Sequence, residues 1–316
     1  MSIPNLRLDP IFKTWNLAEK ICLLKVSSAD PRLQSHFIDA MAPEHITRVQ
    51  KNNCVIITNN ILDDSFGDTS SIIKVNNSFY GVYYYPYQIF YSTPSKNFNC
   101  FINRMDVFRQ TWLYQLIRRK LFDQGYVSFN MDISMLSNPK GLTQQQLFEK
   151  QFQEYCSIFS QEHEQIKNLV PYKNFTDNGD ITDIVLDSKV SIVLETYFNN
   201  NHIVTYSEKI FRCLQLPRPW VLFSHQHAVV HLRKMGFDLL DDIVDHAQYD
   251  AISFEAERQT ALLDMIEELV LINLDDYQQR LISAANHNQT LLKQFSDNWE
   301  TDFQNTINIA LTKLHD

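Results

Sequence analysis

Residues 191–250 read SIVLETYFNNNHIVTYSEKIFRCLQLPRPWVLFSHQHAVVHLRKMGFDLLDDIVDHAQYD, and the fold of the chain turns on how this stretch is parsed. An apolar run ends in a carboxylate at Glu195, and a loop leads to Ser207-Glu208-Lys209, which open a helical segment. A second apolar run, Trp220 to Phe223, feeds another helix that closes at Gly236-Phe237. Strand, loop, helix, strand, loop, helix is the order of a parallel α/β layer. Ligands of such sheets bind beyond the carboxyl ends of the strands, where Glu195, Glu208 and Lys209 fall. Two carboxylates beside a cation suit a ligand with both hydroxyls and phosphates, and a nucleotide sugar is such a ligand.

Working outward, FNCFINRMDVFRQTWLYQL begins at Phe98 and reads as a strand followed by Asn103, Arg104 and a helix that carries Arg109. These residues, followed in order by Glu195, Ser207-Glu208-Lys209, Gly236-Phe237 and Tyr249-Asp250, resemble the donor-binding half of B-type glycosyltransferases. The likeness is to the fucosyltransferase-like enzymes and to a related group common in phage genomes and bacterial surface-glycan clusters. It covers roughly Phe98 to Arg258, about half of the chain, and does not extend into the first 95 residues.

The resemblance implies an α/β protein of two Rossmann-like domains facing a cleft, with a helical C-terminal segment. Residues 1–95 would form an acceptor-side domain and 96–255 the donor domain. Residues 256–316 would be helices that pack back on the first domain. It further implies transfer of a sugar from a nucleotide-sugar donor to a hydroxyl acceptor, inverting and without a metal ion or other cofactor. Arg104, Arg109 and Lys209 would hold the diphosphate and Glu208 the ribose, with Ser207 and Glu195 in the same site. The acceptor is expected to be a bacterial surface glycan, toward which the acidic balance tilts. A hydroxymethylated base in DNA is the alternative. A third reading, from another class, is a degenerate transferase fold kept as an interaction protein.

Composition bounds these readings. The chain has 316 residues, 44% hydrophobic and 21% charged, ordinary for a globular protein of one or two domains. No apolar run reaches the roughly 18 residues that cross a bilayer, and the start lacks the order of a signal peptide, so a cytoplasmic enzyme is expected. Five cysteines are scattered without paired spacing, which favours buried thiols over disulfides or zinc ligands. Six glycines, none close together, leave no Walker or G-x-G-x-x-G turn, so side-chain cations must hold any phosphate. Net charge −9 argues against a broad nucleic-acid surface.

Local structure follows from the same reading. Ile21 to Val26 and Cys54 to Thr58 read as strands with a helix from Pro31 to about Val49 between them. Ser71 to Tyr91, rich in aromatic and β-branched residues, reads as strands interrupted at Pro86, and Ser92-Thr93-Pro94-Ser95 as a linker. A strand at Tyr126 to Phe129 follows, then a helical stretch from Leu142 to about Leu169. The chain beyond Asp250 is helical, with Leu262, Leu263, Ile266, Leu269, Val270 and Leu274 at helical spacing.

Each candidate has a structural alternative. Thr205 to Glu208 fits a capping box, in which Glu208 would reach back to the Thr205 amide instead of a ribose. Lys209 in a first helical turn opposes the helix dipole unless an anion is bound. Arg109 shares an inward stripe with Leu113, Leu116 and Ile117 and needs an anionic partner, either Asp106 or a donor phosphate. Glu195 either binds the sugar or pairs with Lys209. His227 and His231, four apart, could hold a metal, but the Glu of H-E-x-x-H is missing, and a histidine of this loop could instead touch the donor base. No D-x-D triplet occurs. Asp63, Asp64 and Asp68 are the candidate bases for the acceptor hydroxyl, and loop aspartates are also common solvated turn residues.

Overall fold

The computed structural model describes residues 20–27, 30–39, 54–58, 61–62, 72–74, 77–102, 107–129, 181–195, 203–204 and 206–315. The chain divides into two compact units. One comprises Met1–Tyr84, Asn200–Ser207 and Leu292–Asp316, and the other Tyr85–Asn199 and Glu208–Leu291. The first boundary between these units lies at 84/85, inside the aromatic segment, where the sequence suggests 95/96, and residues 256–316 are divided between the two. Among the described residues no helix is long and apolar enough to cross a membrane.

The first unit is built on a mixed sheet. Strand β1 (Lys20–Ser27) pairs antiparallel with both β2 (Asp30–Asp39) and β3 (Cys54–Thr58), and β3 pairs parallel with β5 (Ile72–Lys74). In this register Cys22 faces Phe37 on one side and Ile57 on the other. The helix expected from Pro31 is a strand over residues 31–39, and residues 40–49 of that expectation lie outside those described. The cause is non-local. A two-residue connection brings Asp30 opposite Ser27, and the ladder with β1 decides the conformation of a segment lacking period-two alternation. A two-stranded ribbon joins β4 (Ile61–Leu62) to β9 (Ile203–Val204).

A 3₁₀ helix, Asn77–Tyr83, then carries Gly81 against the C-terminal helix α7 (Gln278–His315). A Cβ on Gly81 would lie 2.2 Å from the Ser296 nitrogen and 2.3 Å from the Phe295 carbonyl carbon, so only glycine admits this backbone approach. The Tyr80 and Tyr206 rings meet edge to face nearby, with centroids 5.9 Å apart.

The second unit is the parallel α/β layer that the sequence suggests. Strands β6 (Lys96–Ile102), β7 (Gly125–Phe129), β8 (Ser188–Leu194) and β10 (Trp220–Phe223) form an all-parallel sheet in the order β10-β8-β6-β7. Helix α1 (Val107–Arg118) connects β6 to β7. The short helix α2 (Thr182–Leu186) precedes β8, and α3 (Glu208–Leu214) precedes β10. Helices α4 (Ala228–Lys234), α5 (Ala247–Asp250), α6 (Glu255–Leu269) and the first half of α7 follow. The sheet is covered on both faces, as parallel sheets are. Phe98, Cys100 and Ile102 are buried on one face of β6, while Asn99 on the other is also buried and donates to the Ser191 hydroxyl at 3.0 Å. Burial pushes the Cys100 and Cys213 thiols up to about 12, so both are inert packing groups.

Residues 84–94 form neither strand nor helix, although their composition suggests strands. Side chains satisfy their backbone instead. The Tyr85 N–H donates to Gln215 Oε1 at 2.9 Å, and Gln289 Nε2 donates to the Tyr85 and Tyr87 carbonyls. Arg218, almost fully buried, donates to the Ser92 and Leu186 carbonyls and lies over the Tyr91 ring. Thr93 bonds to Asp275, and Ser95 donates both its N–H and its hydroxyl to Asp187. The stretch 92–95 is thus a fastened strap rather than a linker. Its polar groups read as solvated in the sequence because their partners lie far along the chain.

Gly81→Ala should destabilise the protein by at least about 1–3 kcal/mol, since backbone must move to admit the methyl group. Urea unfolding would read this as a lower midpoint, and an unchanged midpoint would refute the close approach.

Candidate functional site

From β6 the chain moves to β7 on one side of the sheet, and it enters β8 on the other. The strand order therefore reverses between β6 and β8, and the carboxyl ends of these two strands flank the position where open α/β sheets accept ligands. Arg109 sits in the first turn of α1, just after β6, and is only 4% exposed. Trp112, Leu113 and Leu116 are buried on the same inward stripe. The Arg109 guanidinium donates to the Glu195 carbonyl at 2.6 Å, linking the helix after β6 to the end of β8 across the switch point. One group that it meets is thus a backbone carbonyl. Asp106, the protein carboxylate weighed for that role, lies outside the described residues, as do Asn103 and Arg104.

Glu195 follows β8 directly and is 2% exposed. Its N–H donates to the Phe223 carbonyl at 3.0 Å and prolongs the ladder with β10. Ser207, buried, immediately precedes α3, and Glu208 is the first helical residue. This shifts the frame of the capping box. With Ser207 at the cap, Glu208 occupies the first helical position and not the third, from which a glutamate reaches back. Glu208 acts electrostatically on Arg212 one turn later. Arg212 lies over the Tyr85 ring with its Cζ 5.2 Å from the centroid. Burial lowers its pKa, but Tyr85, Tyr87 and Glu208 outweigh that and raise it. Lys209, in the same first turn, is half-buried. Ser207 belongs to the first unit, and Glu208 and Lys209 to the second. Asp63, Asp64 and Asp68 lie outside the described residues.

The turn after β10 is held by a feature that the sequence reading noted only as part of a Tyr-Asp pair. Both carboxylate oxygens of Asp250 accept backbone N–H groups at the start of α4, from Val229 at 2.9 Å and from Val230 at 3.1 Å. The Asp250 carbonyl accepts the His227 N–H at 2.8 Å, and Gln226 Nε2 donates to the Ala251 carbonyl. Beside it, Leu222 on the outer edge of β10 donates its N–H to the Tyr249 hydroxyl at 3.3 Å. That hydroxyl meets His246 Nδ1, while His246 Nε2 lies 3.0 Å from the Leu239 carbonyl. A carbonyl only accepts, so Nε2 carries the proton and Nδ1 accepts from tyrosine. The neutral imidazole packs on Trp220 at 4.5 Å between centroids.

His225 and Arg258 complete the buried polar groups at this edge, at 2% and 1% exposure. His225 Nδ1 lies 2.9 Å from the Gln226 carbonyl, and Arg258 donates to the Ile252 carbonyl and lies over the Phe223 ring. Arg258 carries no local sequence signal, being one charge at the start of an amphipathic helix. Among the described residues no group of three or more His, Cys, Asp or Glu is placed to hold an ion. Compared with family models, curated proteins and solved structures, the chain matches none.

Burial lowers both His225 and His246 to about 4. An unfolded histidine takes up its proton near 6.5, so between pH 6.5 and 4 the unfolded state binds protons that the folded state does not. Stability should be full above pH 6.5 and fall as pH drops toward 4, by about 2 kcal/mol per histidine at pH 5. Asp250, whose carboxyl burial pushes up, acts in the opposite sense and offsets part of this. Urea midpoints of the native protein and of His246→Gln between pH 7 and 5 should diverge in slope, and parallel profiles would refute a neutral buried His246.

Proposed function

We propose that this protein is a nucleotide-sugar-dependent glycosyltransferase whose donor lies at the carboxyl edge of the β10-β8-β6-β7 sheet. The observation that carries the reading is the switch point between β6 and β8, where buried Arg109 bridges to the carbonyl of Glu195. Lys209, in the first turn of α3, is the second proposed cation, and the resemblance adds Arg104. Breaking the bond between sugar and diphosphate builds negative charge on the leaving group. Fixed cations in a partly dry site stabilise that charge without needing a divalent ion. Glu208 is the proposed ribose ligand, and its frame at the first helical position favours this over the capping box. The acceptor hydroxyl, proposed to belong to a surface glycan, loses its proton to a carboxylate, with Asp63, Asp64 and Asp68 as candidates.

Nucleoside diphosphates should therefore stabilise the protein with EDTA present. At one hundred times the dissociation constant the gain is about 2.7 kcal/mol, visible in a thermal-shift panel of UDP, GDP and ADP. No shift with any of them overturns the donor site. Lys209→Ala should weaken the bound nucleotide at least about tenfold, while its melting temperature stays level or rises slightly as a cation leaves a helix N-terminus. Unchanged affinity would remove Lys209 from the site.

A further inference from the structure

We draw no further inference here: the strongest candidate, the surface patch of exposed Phe90, Leu271 and Tyr277 beside the Tyr91–Asp275 hydrogen bond, carries nothing because nothing in the structure shows what covers it.

Discussion

Much of the structure around the end of β10 depends on one carboxylate. Asp250 lies on a helix of a single turn that could not persist alone. Its two oxygens supply the acceptors that the first amides of α4 lack, and its carbonyl fixes the residue before them. One position earlier, Tyr249 takes the N–H of Leu222 on the open edge of β10, and His246 orients that hydroxyl. Three consecutive demands of the fold are thus met from five residues of chain: a helix start, a turn with left-handed backbone and an unpaired strand edge. The same short segment leads into α6, where Arg258 is buried against Phe223.

A second theme is the use of long-range amides in place of regular structure. Asn288, buried in α7, donates to the carbonyls of Leu214 and Asp238 and accepts the N–H of Asp238. It closes the end of α3 and fixes the turn after Gly236 in one step. Gln215 and Gln289 do the same for the strap at residues 85–87. Each amide is worth about 1 kcal/mol net, but removing one strands buried backbone groups at greater cost. Geometry in the strap and in the turns that close α3 and α4 is therefore specified by polar pairing as much as by apolar packing.

The contrast explains what could be read in the sequence. β10 coincides with its apolar run, because a strand buried on both faces leaves a continuous signal. Gly236, with φ 96°, closes the turn after α4 where the sequence places it. Arg109 and Glu195 were legible for the same reason: a charge on an inward stripe and a carboxylate at a strand end both break a pattern. β2 and the strap were misread because their partners, β1 and a set of distant side chains, are invisible to local propensity. Arg258 broke no pattern at all, and the cap made by Asp250 depends on a pairing across twenty residues that spacing does not reveal.

The division of α7 has a consequence for biosynthesis. The unit that contains Met1–Tyr84 also contains Leu292–Asp316, and Gly81 meets Ser296 backbone to backbone. Gly81 thus acquires these native neighbours only after the residues beyond 292 have been made. The parallel sheet between them can close earlier, since all four of its strands precede residue 224. Vectorial synthesis would then complete the parallel sheet before the 3₁₀ helix at Asn77–Tyr83 meets α7. Contacts so distant in sequence form slowly, and a nascent chain in that condition is the kind of species that chaperones hold.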